Sequence, residues 1–211
     1  MSPCRLTLAS GNGITDLPKP CEGIRRNKEA GRDVYVDDDA LEAVYAHADA
    51  ALRDAMDLAY LTGQRVGDVW AMDVRQVTSR GLIIQQSKTS NRVTMEITGE
   101  LATLLERIAK RKGKKCPNGR DKVYSMRLIV DDDGLALGRA ALRYRFDRAR
   151  ETAGIAKGEF QFRDLRAKAG TDKTDSAKDI REAQHQLGHS SVTTTEIYVR
   201  KKRGSKATPT R

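Results

Sequence analysis

The apolar period of this chain changes at Val74 and changes back at Gly99. Between them "GLIIQQSKTSNRVTMEI" alternates, and reads as two strands, Gly81–Gln86 and Arg92–Ile97, joined by the polar turn 87–91. Val74–Val77 is expected to add a third short strand. On both sides the apolar residues return at helical spacing. A single patch of alternation in a helical background predicts an α+β domain, mostly α-helical, with a small three-stranded antiparallel sheet.

Upstream, "VDDDALEAVYAHADAALRDAMDLAYLTG" opens on acidic N-cap candidates and places Leu41, Val44, Tyr45, Leu52, Met56, Ala59 and Tyr60 at helical intervals. Two helices are expected there, stopped by Gly63. Downstream, helices are expected at Gly99–Lys112 and Arg139–Ala153, stopped by Gly113 and Gly154, then short helical pieces after Arg163 broken at Gly170 and Gly188. A packed domain is expected over 33–200. Residues 1–32 keep no period and hold Pro3, Pro18 and Pro20, so they read as a linker or domain edge. The tail 201–211 belongs to a closing run of six cations and no acid, a composition that stays solvated and touches phosphates.

Charge narrows the partner. Lys plus Arg number 39 against 29 Asp plus Glu, a net +10, which points to a polyanion and to nucleic acid first. Cys4, Cys21 and Cys116 are widely spaced with no CxxC, so free thiols in a reducing compartment are expected, and neither a disulfide framework nor a zinc site. No apolar run approaches a membrane span, and a cytoplasmic protein is expected. There is no Walker loop, no GxGxxG and no nucleophile elbow. His185 and His189 stand four apart but lack the glutamate of a zincin and any evident third ligand. No cofactor and no metal are expected.

What remains is a set of cations with one tyrosine: Arg65 in "TGQRVGDV", Lys88 in "QSKTSN", Arg163 and Arg166 in "FRDLR", His189 in "LGHSS" and Tyr198 in "TTTEIYV". Arg163 and Arg166 are three apart, so on a helix they share a face and repel unless an anion sits between them. Guanidinium forks grip phosphate oxygens two bonds at a time, and fixed cations stabilise the charge of a phosphoryl group in transit. A tyrosine hydroxyl, with a pKa of about 10, needs such a field to act as a nucleophile near neutral pH. Lys88, in a hairpin turn, suits protonation of a departing sugar oxygen.

In order and spacing these motifs resemble the tyrosine recombinase (phage integrase) family over residues 33–200. The family signature is an Arg in "TGxRxxE", a hairpin Lys, "HxxR", "LGH" and a downstream Tyr. Here "TGQRVGD" supplies Arg65, with Asp68 as a supporting carboxylate where Glu is usual. "SKT" supplies Lys88, and "QLGHSSVTTTEIYV" supplies His189 and Tyr198. Arg166 matches the second family arginine, while Arg163 stands where the family has His, which keeps the cation and gives up proton transfer. The resemblance implies the tyrosine recombinase catalytic-domain fold and a DNA strand transferase, cutting and rejoining strands through a 3′-phosphotyrosyl link without cofactor or metal. It further implies double-stranded DNA at attachment sites as partner, a homotetramer formed on DNA only, and accessory DNA-bending proteins. Residues 1–32 would then be the tail of a core-binding domain with its interdomain linker. Two other readings stay open here: a type IB topoisomerase-like nicking and resealing enzyme, and a catalytically silent DNA-binding remnant.

Overall fold

The structure is a computed structural model that describes residues 32–112 and 125–199. The fold below is that of the unit beginning at Asp33. The expected stop at Gly113, the linker up to residue 31 and the tail 201–211 lie outside the described residues.

Helices α1 (Asp38–Ala46) and α2 (Ala50–Thr62) are the expected pair. The Asp49 side chain starts α2 by accepting the Leu52 N–H at 2.9 Å, satisfying an otherwise orphaned amide of the first turn. Gly63 ends it in the left-handed conformation, φ 64°, where a side chain would be strained. Ala51, Ala55 and Ala59 are buried along α2 and let neighbouring helices approach closely. α2 packs against α4 (Gly99–Lys112) and α6 (Asp164–Ala177), and contacts α3 (Val66–Ala71) and α5 (Arg139–Thr152). α6 in turn packs on α7 (Ile180–Leu187) and α8 (Val192–Tyr198). Leu52, Met56, Leu58, Leu104, Ile108 and Leu165 fill the centre, and Phe146 meets Phe160 and Phe162 edge-on at 5.1 and 5.5 Å. Among the described residues no helix is long and apolar enough to cross a membrane.

The sheet is antiparallel in the order β1 (Val77–Thr78), β2 (Gly81–Gln85), β3 (Arg92–Met95), with Leu82 opposite Met95 and Ile84 opposite Val93. Leu82 and Ile84 are the buried members of β2, so the alternation read in the sequence is the alternation of core and outer face. The third strand differs in place. Val74–Gln76 is a turn of 3₁₀ helix, because the Asp73 side chain accepts the Arg75 N–H at 2.9 Å while Gln76 Oε1 accepts the Asp73 N–H at 2.8 Å. Pairing begins only at Val77.

A second difference is Gly170, which interrupts nothing: α6 runs through it to Ala177. The glycine serves packing, since a Cβ there would come within 2.9 Å of Leu187 Cδ1 on α7. The helix stops at Lys178, φ 54°.

The first two turns of α6, Asp164–Thr171, are buried on all sides, charged residues included. Lys168 is only 1% exposed. Its Nζ donates to Tyr35 Oη at 3.1 Å and to Asp38, and lies 3.2 Å from Asp172 Oδ2, while Tyr35 and Tyr60 each donate a hydroxyl to Asp172 at 2.9 Å. Burial disfavours the ammonium, yet these partners hold its pKa above the ordinary lysine range. Burial and the Asp172 charge push the Tyr60 hydroxyl up to about 12. The cluster ties the start of the domain to the helix that carries Arg166. Lys168→Ala should therefore lower unfolding stability in urea by about 3 kcal/mol, as expected for a carboxylate left without its buried counter-ion. A loss below ~0.5 kcal/mol, the scale of a surface substitution, would contradict that placement.

Candidate active site

Two helix ends build the site. Gly63 O, at the C-cap of α2, has no intrahelical partner, and neither has Leu187 O, because α7 stops at Gly188 with φ 65°. Arg166, 3% exposed on α6, spans both: Nη1 donates to Gly63 O and Nη2 to Leu187 O, each at 2.8 Å. Helix C-termini carry partial negative charge, so these carbonyls support a buried guanidinium as well as satisfying it. Its Nε–H is buried and has no hydrogen-bond partner among the described residues.

Arg166 Nη2 also lies 2.8 Å from His189 Nε2, and its Cζ sits 5.3 Å from the centre of the Tyr198 ring. A guanidinium can only donate, so His189 Nε2 accepts and the imidazole proton belongs on Nδ1, which meets Thr195 Oγ1 at 3.0 Å. Thr195 is fully buried on α8, the helix that ends in Tyr198. The His189 and Tyr198 rings are 5.0 Å apart.

Arg65 enters at the start of α3. Its Nη1 donates to Gln86 Oε1 at 3.3 Å and lies 3.9 Å from Asp68 Oδ2. Asp68 Oδ1 accepts both the amide and the hydroxyl of Ser87, at 2.9 and 2.7 Å, which pins the root of the β2–β3 hairpin. Lys88 stands exposed beyond that root. Gln86 closes the arrangement from inside. Fully buried, it donates from Nε2 to Gln64 Oε1 and Leu187 O at 2.8 and 2.7 Å, and accepts from Thr89 Oγ1 at 2.8 Å. Gly188 belongs to the same junction, since a Cβ on it would come within 2.6 Å of Gln86 Nε2.

The electrostatics follow from burial and like charge. Desolvation, then the Arg65 charge, lowers the Arg166 pKa to about 10, with Tyr198 and Asp68 pulling the other way. Desolvation, then Arg166 and Arg65, lowers His189 to about 4. The imidazole is therefore neutral at pH 7.

Of the expected residues, Arg65, Arg166, His189 and Tyr198 come together, with Asp68 behind Arg65. Lys88 and Arg163 are exposed, and among the described residues neither touches the other four. Arg163, the N-cap residue of α6, is exposed whereas Arg166 is buried, so the two guanidinium groups meet different surroundings. Arg163 borders a hollow of about 400 Å³ with Val66, Trp70 and Phe162. His185 is exposed. Gln64, Gln86 and Thr195 were not expected. A polar pair closing the apolar run "GLIIQQ" is the one signal that marked Gln86.

Residues 35–204 match the model of the phage integrase family. The chain belongs to that family. An integrase of Enterobacteria phage 434 is 30% identical over 201 residues, covering 92% of this chain and 54% of that protein. The tyrosine recombinase XerC of Roseiflexus sp. (strain RS-1) is 27% identical over 157 residues, covering 74% of this chain and 49% of that one. The chain thus spans about half the length of the curated relatives it matches. Among solved structures, a lambda integrase tetramer bound to a Holliday junction superposes with TM-score 0.73 at 24% identity, over 98% of this chain and 58% of that one. The lambda integrase catalytic core gives 0.61 at 25% identity, over 75% of this chain and 92% of the other. The fold is that of a tyrosine recombinase catalytic domain. In this integrase-family chain the α+β class and the three-stranded sheet are as the sequence led us to expect.

Two outcomes check the geometry. Gln86→Ala should cost about 1–3 kcal/mol, the penalty for stranding buried polar partners, whereas exposed Gln85→Ala should cost under ~0.5 kcal/mol. Denaturant curves of the two read the difference directly. His189 should titrate near pH 4, with its proton on Nδ1, in nitrogen-resolved NMR. Because its folded pKa lies below the free value, the unfolded chain takes up the extra proton. That contribution to stability is present above about pH 6.5 and is lost as pH falls towards about 4. A midpoint near 6.5 would refute the buried, cation-flanked placement.

Proposed function

We propose that this chain cuts and rejoins DNA strands through a 3′-phosphotyrosyl intermediate on Tyr198. The observation that supports it best is the Tyr198 ring packed on Arg166, a buried guanidinium held by two helix ends and still presenting an unpaired Nε–H. A scissile phosphate seated between Arg65 and Arg166 would replace their mutual repulsion by bidentate attraction. The same charges stabilise the crowded phosphoryl transition state.

In the forward step the Tyr198 oxygen bonds to phosphorus, its proton passes to solvent, and the bond from phosphorus to the 5′ oxygen breaks. Lys88, carried by the hairpin that Asp68 and Gln86 anchor, gives that oxygen a proton. Ligation is the reverse, with the 5′-hydroxyl of a second strand attacking the adduct. The phosphodiester's energy stays in the phosphotyrosyl bond, so the step needs no nucleotide hydrolysis. His189, neutral and donating to Thr195, positions Arg166 and the Tyr198 helix, while Arg163 contributes a cation to DNA binding. Recombination is the reading the integrase and recombinase relatives support, and a tetramer assembled on DNA is the matching partner arrangement, as in the lambda integrase complex.

The test is a nicked suicide duplex run on a denaturing gel. Wild type should yield a covalent protein–DNA band, Tyr198→Phe none, and Arg166→Ala at least about 10²-fold less, the scale of losing one preorganised anion donor. An equal band from Tyr198→Phe would remove the nucleophile from Tyr198. No band from wild type at any salt would remove the cleavage itself.

A further inference from the structure

The hollow bordered by Arg163 is a site in its own right. It opens beside Val66, the residue after Arg65, and its floor is apolar: Trp70, Leu142, Phe146 and Phe162. Of the cations that line it, Arg143 and Arg150 are matched to Asp147, at 3.7 and 2.7 Å. Arg139, Lys157 and Arg163 have no carboxylate partner among the described residues. Like charges gathered on one concave surface repel, so their partner is to be sought outside the chain.

Arg139 is also held in place. Its Cζ lies 5.2 Å from the Trp70 ring centre, and the indole is itself fixed by a 2.6 Å hydrogen bond from Nε1 to Leu137 O. Gly67 leaves the room: a Cβ there would come within 2.5 Å of Arg139 Nη2. A guanidinium seated on a ring, against a backbone with no side chain, is preorganised for an anion.

We propose that this hollow is a second nucleotide subsite, taking the sugar–phosphate unit next to the one under attack. The apolar floor receives the deoxyribose, and Arg139, Lys157 and Arg163 receive the phosphate. About 400 Å³ is within the range of small-ligand pockets, and a bare phosphate would leave the floor uncovered. The inference rests on the DNA-cutting reading and deepens it: Arg163 holds a neighbouring phosphate instead of serving proton traffic at the scissile one. That accounts for an arginine where the family has a histidine, since a permanent cation suits a holding role.

The experiment measures binding without cleavage. In a Tyr198→Phe background, fluorescence anisotropy follows a duplex of about two turns between roughly 50 and 200 mM salt. Arg139→Gln and Arg163→Gln, both at exposed positions, should each lower the slope of log K against log salt by about 1. Arg75→Gln, removing an exposed cation already paired with Asp73, should not. Gly67→Ala should weaken binding with every charge retained, because it evicts the Arg139 guanidinium. Slopes for the two pocket variants equal to that of Arg75→Gln overturn the subsite. So does a loss seen with a polyglutamate peptide and not with DNA. An absent covalent band on the wild-type gel, by contrast, speaks against cleavage and leaves these slopes to stand or fall alone.

Discussion

A guanidinium buried between the carbonyl ends of two helices is the interaction on which the rest of this domain depends. Arg166 has no carboxylate hydrogen-bonded to it among the described residues; its charge is met by Gly63 O, Leu187 O and the ring of Tyr198. A carboxylate there would neutralise the cation and compete with phosphate. Carbonyl dipoles satisfy the N–H groups and leave the net positive charge available. The arrangement demands that α2 and α7 each stop abruptly with their last carbonyls aimed at one point. Left-handed glycines at 63 and 188 allow that, and the close packing of Leu187 over Gly170 and Gly63 sets the distance.

Gln86 extends the same logic to the sheet. Leu187 O accepts from Arg166 and from Gln86, and Gln86 accepts from Arg65. One carbonyl and one amide side chain therefore link both arginines to the hairpin that carries Lys88. Each bond removed from such a network strands a buried polar group, which costs more than a satisfied one gains. Hairpin, helix ends and arginine positions are thus set together.

What the sequence made legible follows from this division. Features carried by local chemistry were readable: the helical period, the alternation of β2, the stops at Gly63, Gly154 and Gly188, and the motif residues Arg65, Arg166, His189 and Tyr198. Features carried by partners distant in sequence were not. Gly170 looks like a helix breaker until Leu187 is placed against it, and "VRQV" looks like a strand until Asp73 and Gln76 close a turn. Lys168 reads as a surface cation, yet it is buried by Tyr35 and Asp172, residues 133 and 4 positions away in the chain. Spacing alone also says nothing of burial: Arg163 at the N-cap of α6 is exposed, while Arg166 is enclosed by helix ends that are distant in sequence.

The charge pattern also sets how the unliganded site behaves. Burial, then the Arg65 charge, lowers the pKa of Arg166, and burial, then Arg166 and Arg65, keeps His189 neutral. Asp68, 3.9 Å from Arg65, offsets only part of the arginine charge, so the free domain carries the remaining repulsion as a standing cost against its stability. A bound phosphate removes the cost, and by linkage whatever relieves a strain in the folded state stabilises the fold. The neutral imidazole accepts from Arg166 at Nε2, which a protonated ring could not do, while its Nδ1 meets Thr195. Burial, and then the two arginine charges, therefore keep the histidine in the state that links Arg166 to the tyrosine helix.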